Sequence, residues 1–336
     1  WQGGEEELLL TSLPDSLLAN LVWPPERVAQ GVCVHNRALT RALLSAPKLE
    51  LHLLQDAEPE VVSVAGTLMR SMTSLRELDL SENFVSREGA KALAGALPLA
   101  TGLQSLVLKY CGLNHEGIRE LAPHLPAGLL TLDLEGNWLE EEGATALGPS
   151  LERLTNLRHL QLSQNNMSFG GLQALAPALQ RLTGLEKLGL GRNGHRADGP
   201  AEGAKLLGAS LQNTTRLREL DFCGTAMGVD GVITLWEHLE RLPCLEELDI
   251  RGSSLGPEGG EALAVFLYAR NRQHLSTLRR LHLGWNTLCH GALPLGAALL
   301  RFTALEQLDL SCNRTDMGTW EKLGKMLSQI TKLELD

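Results

Sequence analysis

The sequence predicts an α/β solenoid, a horseshoe in which short parallel strands line the inner face and helices line the outer face. Two periodicities that run in step predict this fold. The spacing LxxLxLxxN recurs at intervals of 26 to 33 residues, beginning at Leu75, Leu103, Leu129, Leu157, Leu185, Leu217, Leu245, Leu278 and Leu305. One glycine follows each start, at Gly89, Gly117, Gly143, Gly171, Gly203, Gly231, Gly259, Gly291 and Gly318. A period near 28 with this signature is that of the leucine-rich repeat.

Each repeat predicts a strand followed by a helix. In residues 75–97 the leucines at the first, fourth and sixth places point into the core, because strand side chains alternate between two faces. The intervening residues, such as Asp79, then lie on the open concave face. After Gly89 the apolar residues follow helical spacing, at Ala90, Leu93 and Leu97. In the fourth repeat the same rule points Leu160 inward and Gln161 outward.

The ninth place of most repeats is asparagine, at Asn83, Asn137, Asn165, Asn193, Asn286 and Asn313. An amide side chain both donates and accepts hydrogen bonds, so a stack of these residues is expected to satisfy the turn backbones of adjacent repeats. Cys111, Thr225 and Ser253 take this place in the other three repeats.

The two ends of the chain and two insertions depart from the regular repeat. Residues 1–46 predict a helical N-terminal cap that covers the exposed leucine core of the first repeat, and residues 47–336 form the repeats. An irregular first strand is expected at Leu51 and Leu53, and a short closing unit at Leu333 and Leu335. Insertions at 191–203 and 266–277 lengthen two repeats and predict protruding loops.

Composition narrows the class of partner. Apolar residues make up 43% of the chain and aromatic residues only 4%, which predicts an aliphatic core. The net charge of −10 argues against nucleic acid or an anionic membrane as partner. The six cysteines are scattered without a CxxC pair, which favours a reducing compartment, the cytoplasm or the nucleus. The sequence has no apolar run of the length that a membrane-spanning helix requires.

No motif indicates an enzyme, a cofactor or a metal site. GLGRNG at 189–194 matches GxGxxG, but it lies in the repeat register and the next helix is expected only near Ala201. A dinucleotide site needs this turn to open a helix directly. His115-Glu116 and Glu237-His238 lack the HExxH spacing that places two ligands on one helical face.

The repeats over 47–336 resemble the ribonuclease-inhibitor type of leucine-rich repeat, which also occurs in NOD-like receptors and Ran GTPase-activating proteins. The resemblance rests on words such as LRELDLSEN and EGAKALAGAL, and it implies an intracellular horseshoe that binds other proteins. It does not name the partner.

The N-terminal segment resembles an F-box through Leu13-Pro14-Asp15, Leu17-Leu18 and Val32-Cys33. The spacing before Val32 is about four residues shorter than in that motif, and Asn36 replaces its usual tryptophan. The resemblance implies that residues 9–45 bind the adaptor subunit of a cullin-type ubiquitin ligase; the alternative is a plain helical cap.

The concave face carries the candidate binding residues. The central strand place reads Asp79, Val107, Asp133, Gln161, Gly189, Asp221, Asp249, His282 and Asp309. Aspartate is a poor strand former, so its recurrence indicates either a habit of this repeat type or an acidic groove for a basic partner. Aromatic residues at Tyr110, Trp138 and Trp285 are either interface anchors or incidental packing.

We therefore expect a non-enzymatic interaction scaffold, or a structural subunit, that binds a protein partner through its concave face. The candidate partner-binding residues are Glu77, Asp79, Glu82, Tyr110, Asp133, Glu135, Trp138 and Trp285. Two alternatives stay open: an F-box substrate receptor of a ubiquitin ligase, and a regulator of the GTPase-activating or NOD-like-receptor type.

Overall fold

The computed structural model describes residues 48–50, 74–194, 200–239, 241–269 and 277–335. They form one parallel sheet of eleven strands, in which strand order follows chain order. Each strand is three residues long: β1 Lys48–Glu50, β2 Glu77–Asp79, β3 Ser105–Val107, β4 Thr131–Asp133, β5 His159–Gln161, β6 Lys187–Gly189, β7 Glu219–Asp221, β8 Glu247–Asp249, β9 Arg280–His282, β10 Gln307–Asp309 and β11 Lys332–Glu334. The predicted α/β solenoid is confirmed.

Helices alternate with the strands and pack on the opposite side of the leucine core. Within the described ranges there are nine α-helices: α1 Arg87–Ala96, α2 Asn114–Leu121, α3 Glu140–Leu151, α4 Ser168–Arg181, α5 Pro200–Ser210, α6 Gly228–Leu239, α7 Gly256–Ala269, α8 Ala292–Leu299 and α9 Met317–Met326. Of these helices, none is both long enough and apolar enough to cross a bilayer.

The core is a continuous aliphatic layer between strands and helices. The central leucine of a strand is buried, as at Leu78 and Leu106, where the residues on either side of it stay accessible. In β6, β8 and β10 the residue after the leucine is buried as well. Hydrogen bonds between repeats continue beyond the strands, for example from Glu82 N to Lys109 O (2.8 Å) and from Val85 N to Cys111 O (2.8 Å). The repeats are therefore joined through the backbone as far as the start of the helices.

The predicted asparagine stack is confirmed and links neighbouring turns. The Asn165 amide nitrogen donates to Leu162 O of its own repeat and to Leu134 O of the preceding repeat, both at 2.9 Å. Its Oδ1 accepts from Asn137 N at 2.9 Å. Where Ser253 replaces asparagine, the buried hydroxyl has no hydrogen-bond partner. The stack therefore lacks its side-chain bonds at that repeat.

The turn before each asparagine uses a left-handed residue. The eighth place has positive φ in all nine repeats, at Glu82, Tyr110, Gly136, Gln164, Arg192, Gly224, Gly252, Trp285 and Cys312. Residues with a Cβ rarely adopt this conformation. The turn therefore fixes how the side chains of Tyr110 and Trp285 leave the rim of the sheet.

The first described strand lies just before the positions predicted for it. This strand, β1, spans Lys48–Glu50, with Leu49 in register with Leu78, and the predicted positions Leu51 and Leu53 lie outside the described residues. At the other end, β11 pairs with β10 and closes the sheet as expected.

Several predictions fall outside the described residues. The helical cap and F-box-like segment at 1–46 lie outside them, and so do residues 195–199 and 270–276 of the two insertions. The helix expected near Ala201 begins at Pro200. Residues 266–269 of the second insertion belong to α7, so the loop prediction is wrong there. The rest of the loops, the cap and the adaptor-binding segment stay predictions.

Leu160→Ala is expected to lower the free energy of unfolding by about 2–5 kcal/mol, because a leucine only 1% exposed leaves a cavity when truncated. Gln161→Ala is expected to cost about 1 kcal/mol, since the Gln161 side chain faces outward but accepts a hydrogen bond from Ser163 Oγ at 2.9 Å. Urea denaturation of both variants measures the difference. Equal losses would contradict the assigned facing of the strand.

Asn165→Ala is expected to destabilise the protein by about 3 kcal/mol, because it leaves buried backbone groups of two repeats without their hydrogen-bond partner. Ser253→Ala is the matched control at the same place of another repeat, and we expect almost no change since its hydroxyl has no partner. Thermal unfolding of both variants tests the stack. If Ser253→Ala lowered the stability as much as Asn165→Ala, the hydrogen bonds of the amide would not be the cause of the loss.

Candidate functional site

The predicted acidic residues of the first three repeats lie on one surface. In the sheet register Asp79 is opposite Val107, and Val107 is opposite Asp133. Glu77 precedes Asp79 in the same strand, and its side chain is exposed. The structure therefore brings together residues that are 54 positions apart in the sequence (79 and 133).

Each concave aspartate also has a structural role. Asp79 Oδ1 accepts a hydrogen bond from Ser81 N at 2.9 Å, and Asp133 Oδ1 accepts one from Glu135 N at 2.9 Å. The same bond forms at Asp221, Asp249 and Asp309. The carboxylate thus caps the backbone two residues beyond the strand, which explains why a poor strand former recurs there. Burial raises the pKa of Asp133.

Charge is divided unevenly along the concave face. With the first leucine of a repeat counted as place one, the outward places are the third, fifth, seventh, eighth and tenth. In the first three repeats they hold one lysine, Lys109, and five carboxylates: Glu77, Asp79, Glu82, Asp133 and Glu135. We call these five carboxylates the acidic patch. The other six repeats hold five carboxylates and five cationic side chains at these places: Glu219, Asp221, Glu247, Asp249 and Asp309 against Lys187, Arg192, Arg251, Arg280 and Arg314.

The charges of the C-terminal repeats are paired with one another. Lys187 Nζ lies 2.9 Å from Glu219 Oε1, and Arg280 contacts both Glu219 and Glu247. His282 Nε2 lies 3.4 Å from Glu247 Oε1. The hydrogen bond that Glu247 accepts from His282, with that from Arg280, lowers the pKa of Glu247 to about 2 although burial opposes this. This part of the face offers little net charge to a partner.

A cluster that the sequence analysis missed lies among these pairs. One potential ligand atom from each of Asp221, Cys223 and Asp249 lies within 4.8 Å of the others. The Arg251 guanidinium already holds Asp249 with Nε at 3.0 and 2.9 Å from its two carboxylate oxygens. Burial raises the pKa of Cys223 to about 12, so the thiol stays protonated. The guanidinium therefore supplies the positive charge that this cluster requires.

Tyr110 is held in place before any partner binds. Its ring lies over Gly136, where an added Cβ would come within 2.1 Å of a ring carbon. Its hydroxyl donates to Glu135 Oε1 at 3.1 Å and accepts from Gln164 Nε2 at 2.8 Å. Lys109 Nζ lies 2.6 Å from Glu135 Oε2. Burial opposes ionisation of Glu135, but the bonds from Lys109 and Tyr110 outweigh it and lower the pKa.

Two further aromatic residues flank Tyr110. Trp138 is 61% exposed and Phe84 is 52% exposed, both at the tenth place of their repeats. The Phe84 ring lies over Gly112, where a Cβ would be 3.2 Å from it. Sequence analysis missed Phe84, although its shared place with Trp138 was a usable signal. We call Phe84, Tyr110 and Trp138 the aromatic rim.

Trp285 does not belong to this group. Its side chain is 67% exposed, and it occupies the eighth place as Tyr110 does. Five strands, β4 to β8, lie between the strand of its repeat, β9, and that of Tyr110, β3. The predicted site therefore divides into the acidic patch with the aromatic rim, and an isolated tryptophan.

Comparison with known proteins supports the assignment of the repeats. A family model described as Leucine Rich repeat matches residues 71–94, 129–148, 153–176 and 241–264. Ribonuclease inhibitor from Sus scrofa is 34% identical over 208 residues, which cover 61% of this chain and 45% of the inhibitor. NACHT, LRR and PYD domains-containing protein 13 from Homo sapiens is 34% identical over 141 residues, covering 41% of this chain and 13% of that protein.

A solved structure shares the fold. The crystal structure of the leucine-rich repeat-containing protein LegL7 from Legionella pneumophila superposes with a TM-score of 0.51 at 18% identity, covering 86% of this chain and 90% of that one. The chain is thus a leucine-rich-repeat protein by fold. Its repeats are of the ribonuclease-inhibitor type. It spans less than half the length of either curated relative described above.

The pairing of Glu247 predicts a dependence of stability on pH. A depressed carboxyl pKa contributes stability that is present above the unfolded value near 4.5 and is lost as pH falls towards about 2. Glu247→Gln removes this titration with little change of shape. We expect the variant to be less stable than the wild type at pH 6 and equally stable near pH 2. A gap in unfolding free energy that stays constant across this range would contradict the assigned ion pair.

Proposed function

We propose that this protein binds a protein partner with a basic surface through the acidic patch and the aromatic rim. The observation that carries the proposal is their coincidence: the net negative part of the concave face lies beside Phe84, Tyr110 and Trp138. In the remaining six repeats the outward carboxylates and cationic side chains are equal in number. Their exposed tryptophan on this face, Trp285, therefore has no excess of negative charge beside it.

Charge and aromatic surface would serve different steps of binding. An excess of one sign of charge on a surface attracts an oppositely charged protein and speeds its arrival, and salt weakens this effect. Aromatic side chains more often supply the energy that holds a complex together. Tyr110 is suited to that task because its hydrogen bonds and its contact with Gly136 fix it beforehand, which lowers the entropy lost on binding.

The proposed role is that of a scaffold without a chemical step. The relative from Sus scrofa is named as an inhibitor of ribonuclease, and we propose for this chain binding to a protein in the same general sense. That likeness specifies neither the partner nor a regulatory role for this chain.

The structure indicates which charges to alter. Asp79 and Asp133 cap backbone groups, so replacing them would also damage their turns. The side chains of Glu77 and Glu82 are exposed, which makes them better positions for charge reversal. Glu88 and Glu142 lie exposed in the first turns of α1 and α3, on the helical side of the first and third repeats, and give a control with the same change of net charge.

Affinity purification with three baits tests the proposal: the wild type, Glu77→Lys with Glu82→Lys, and Glu88→Lys with Glu142→Lys. The two double variants have the same net charge. We expect the concave variant to lose basic proteins that the wild type and the control retain, because only the concave variant reverses charge at the site. For a protein so identified, the wild-type association rate should fall as salt rises around roughly 0.1 M, where the Debye length is about 10 Å.

Two outcomes would contradict the proposal. In one, both double variants lose the same proteins to the same extent, which would show a response to net charge alone. In the other, neither variant loses any protein that the wild type captures, which would place the binding surface elsewhere.

A further inference from the structure

The aromatic rim has a regular spacing set by backbone hydrogen bonds. Phe84 and Trp138 occupy the same place two repeats apart. On both sides of that place the repeats are hydrogen-bonded, from Glu82 N to Lys109 O (2.8 Å), Val85 N to Cys111 O (2.8 Å), Tyr110 N to Glu135 O (2.7 Å) and Asn114 N to Asn137 O (2.8 Å). Strands so joined lie about 4.8 Å apart, so two repeats advance by about 9.6 Å.

This advance matches one turn of a polyproline II helix. Such a helix has three residues per turn and rises about 3.1 Å per residue, which gives about 9.3 Å per turn. A proline-rich segment lying across the repeats would therefore present equivalent residues to Phe84 and to Trp138. Tyr110, in the repeat between them, lies on the same rim. Aromatic-lined surfaces are a common docking site for such segments, because the polyproline helix is already ordered before it binds.

Glycines of the following repeats lie beneath two of the three rings of the rim. Gly112 and Gly136 follow Phe84 and Tyr110 by one repeat and have φ of 63° and 69°. A Cβ at either position would meet the aromatic ring that lies over it, at 3.2 Å and 2.1 Å. Without a Cβ the two rings rest against backbone. A ligand that is itself stiff would then bind without much further ordering of either surface.

Charge at the rim selects the side chains of such a segment. Glu82 is exposed and lies two residues before Phe84, at the eighth place of the same repeat. Glu135, beside Tyr110, is already bonded to Lys109, so Glu82 is the carboxylate better placed for an incoming cation. An arginine also stacks on exposed tryptophan or tyrosine rings. Proline alone would leave the carboxylate without a counter-charge.

We propose that the aromatic rim docks a proline-rich, arginine-bearing segment of a partner protein in polyproline II conformation. This inference rests on the proposed function and specifies which part of the basic partner reaches the rim. The acidic patch would bind the rest of the partner's basic surface.

Two synthetic peptides measured against the whole chain test the inference. One consists of three repeats of Arg-Pro-Pro and the other of three repeats of Arg-Ala-Ala, so both carry the same charge and only the first is held in polyproline II conformation. Titration of each peptide, followed by fluorescence anisotropy of a terminal dye, gives the affinities. We expect the proline peptide to bind at least tenfold more tightly.

Variants locate the peptide on the surface. Trp138→Ala and Phe84→Ala are each expected to weaken binding of the proline peptide at least fivefold. Trp285→Ala is the matched control, because Trp285 is exposed to a similar degree outside the rim, and its affinity should equal that of the wild type. Thermal unfolding checks each variant, and Trp138→Gln replaces Trp138→Ala if the latter unfolds.

Three results would overturn the inference. Equal binding of both peptides would show recognition of charge alone. Unchanged affinity in both rim variants would place the proline peptide elsewhere, and failure of both peptides to bind would remove the rim as a docking site for such segments. The bait comparison with Glu77→Lys and Glu82→Lys decides the proposed function independently, so basic proteins captured there would leave that function standing even if the peptides fail.

Discussion

The bond between each asparagine amide and the turns of two repeats is the interaction on which the rest of this structure depends. Between strand and helix the backbone has left the sheet ladder and has not yet entered the helix, so its N–H and C=O groups need other partners. Asn137, Asn165 and Asn193 supply them in succession, each amide bonding its own repeat and the preceding one. Because these groups are buried, the bonds count for more than they would at the surface.

The candidate site is built on the same turns. Tyr110 and Trp285 stand at the left-handed place just before the ninth residue, and Trp138 follows Asn137 directly. A large side chain at a fixed turn is presented to solvent in one direction, and the rings of Tyr110 and Phe84 also lie over a glycine of the next repeat. The same turns whose hydrogen bonds stack the repeats therefore also set the positions of the rim residues.

The two parts of the concave face use charge differently. In the C-terminal repeats Lys187, Glu219, Arg280 and Glu247 pair with one another across strands. In the first three repeats a single lysine meets five carboxylates, and that lysine is engaged by Glu135. Pairing within the face lowers its charge towards a partner, so the unbalanced end is the one that attracts a basic surface.

The sequence by itself determined the fold, because each repeat contains the residues that specify its strand, its turn and its helix. The leucine spacing, the glycine at the start of each helix and the asparagine at the ninth place are local signals, and their repetition along the chain predicts the parallel order of the strands. The outward facing of Gln161 follows from the same alternation, and so does the buried place of Leu160.

Only the tertiary structure decided how side chains of different repeats meet. The network of Lys109, Tyr110, Glu135 and Gln164 joins three repeats, and no spacing rule states which rotamers reach each other across them. The recurrent aspartates proved to cap backbone groups, and Phe84 joined the rim while Trp285 lay apart. A period in the sequence fixes the place of a residue within its repeat, but contacts between repeats depend on neighbours about 28 residues away, whose size and charge vary from one repeat to the next.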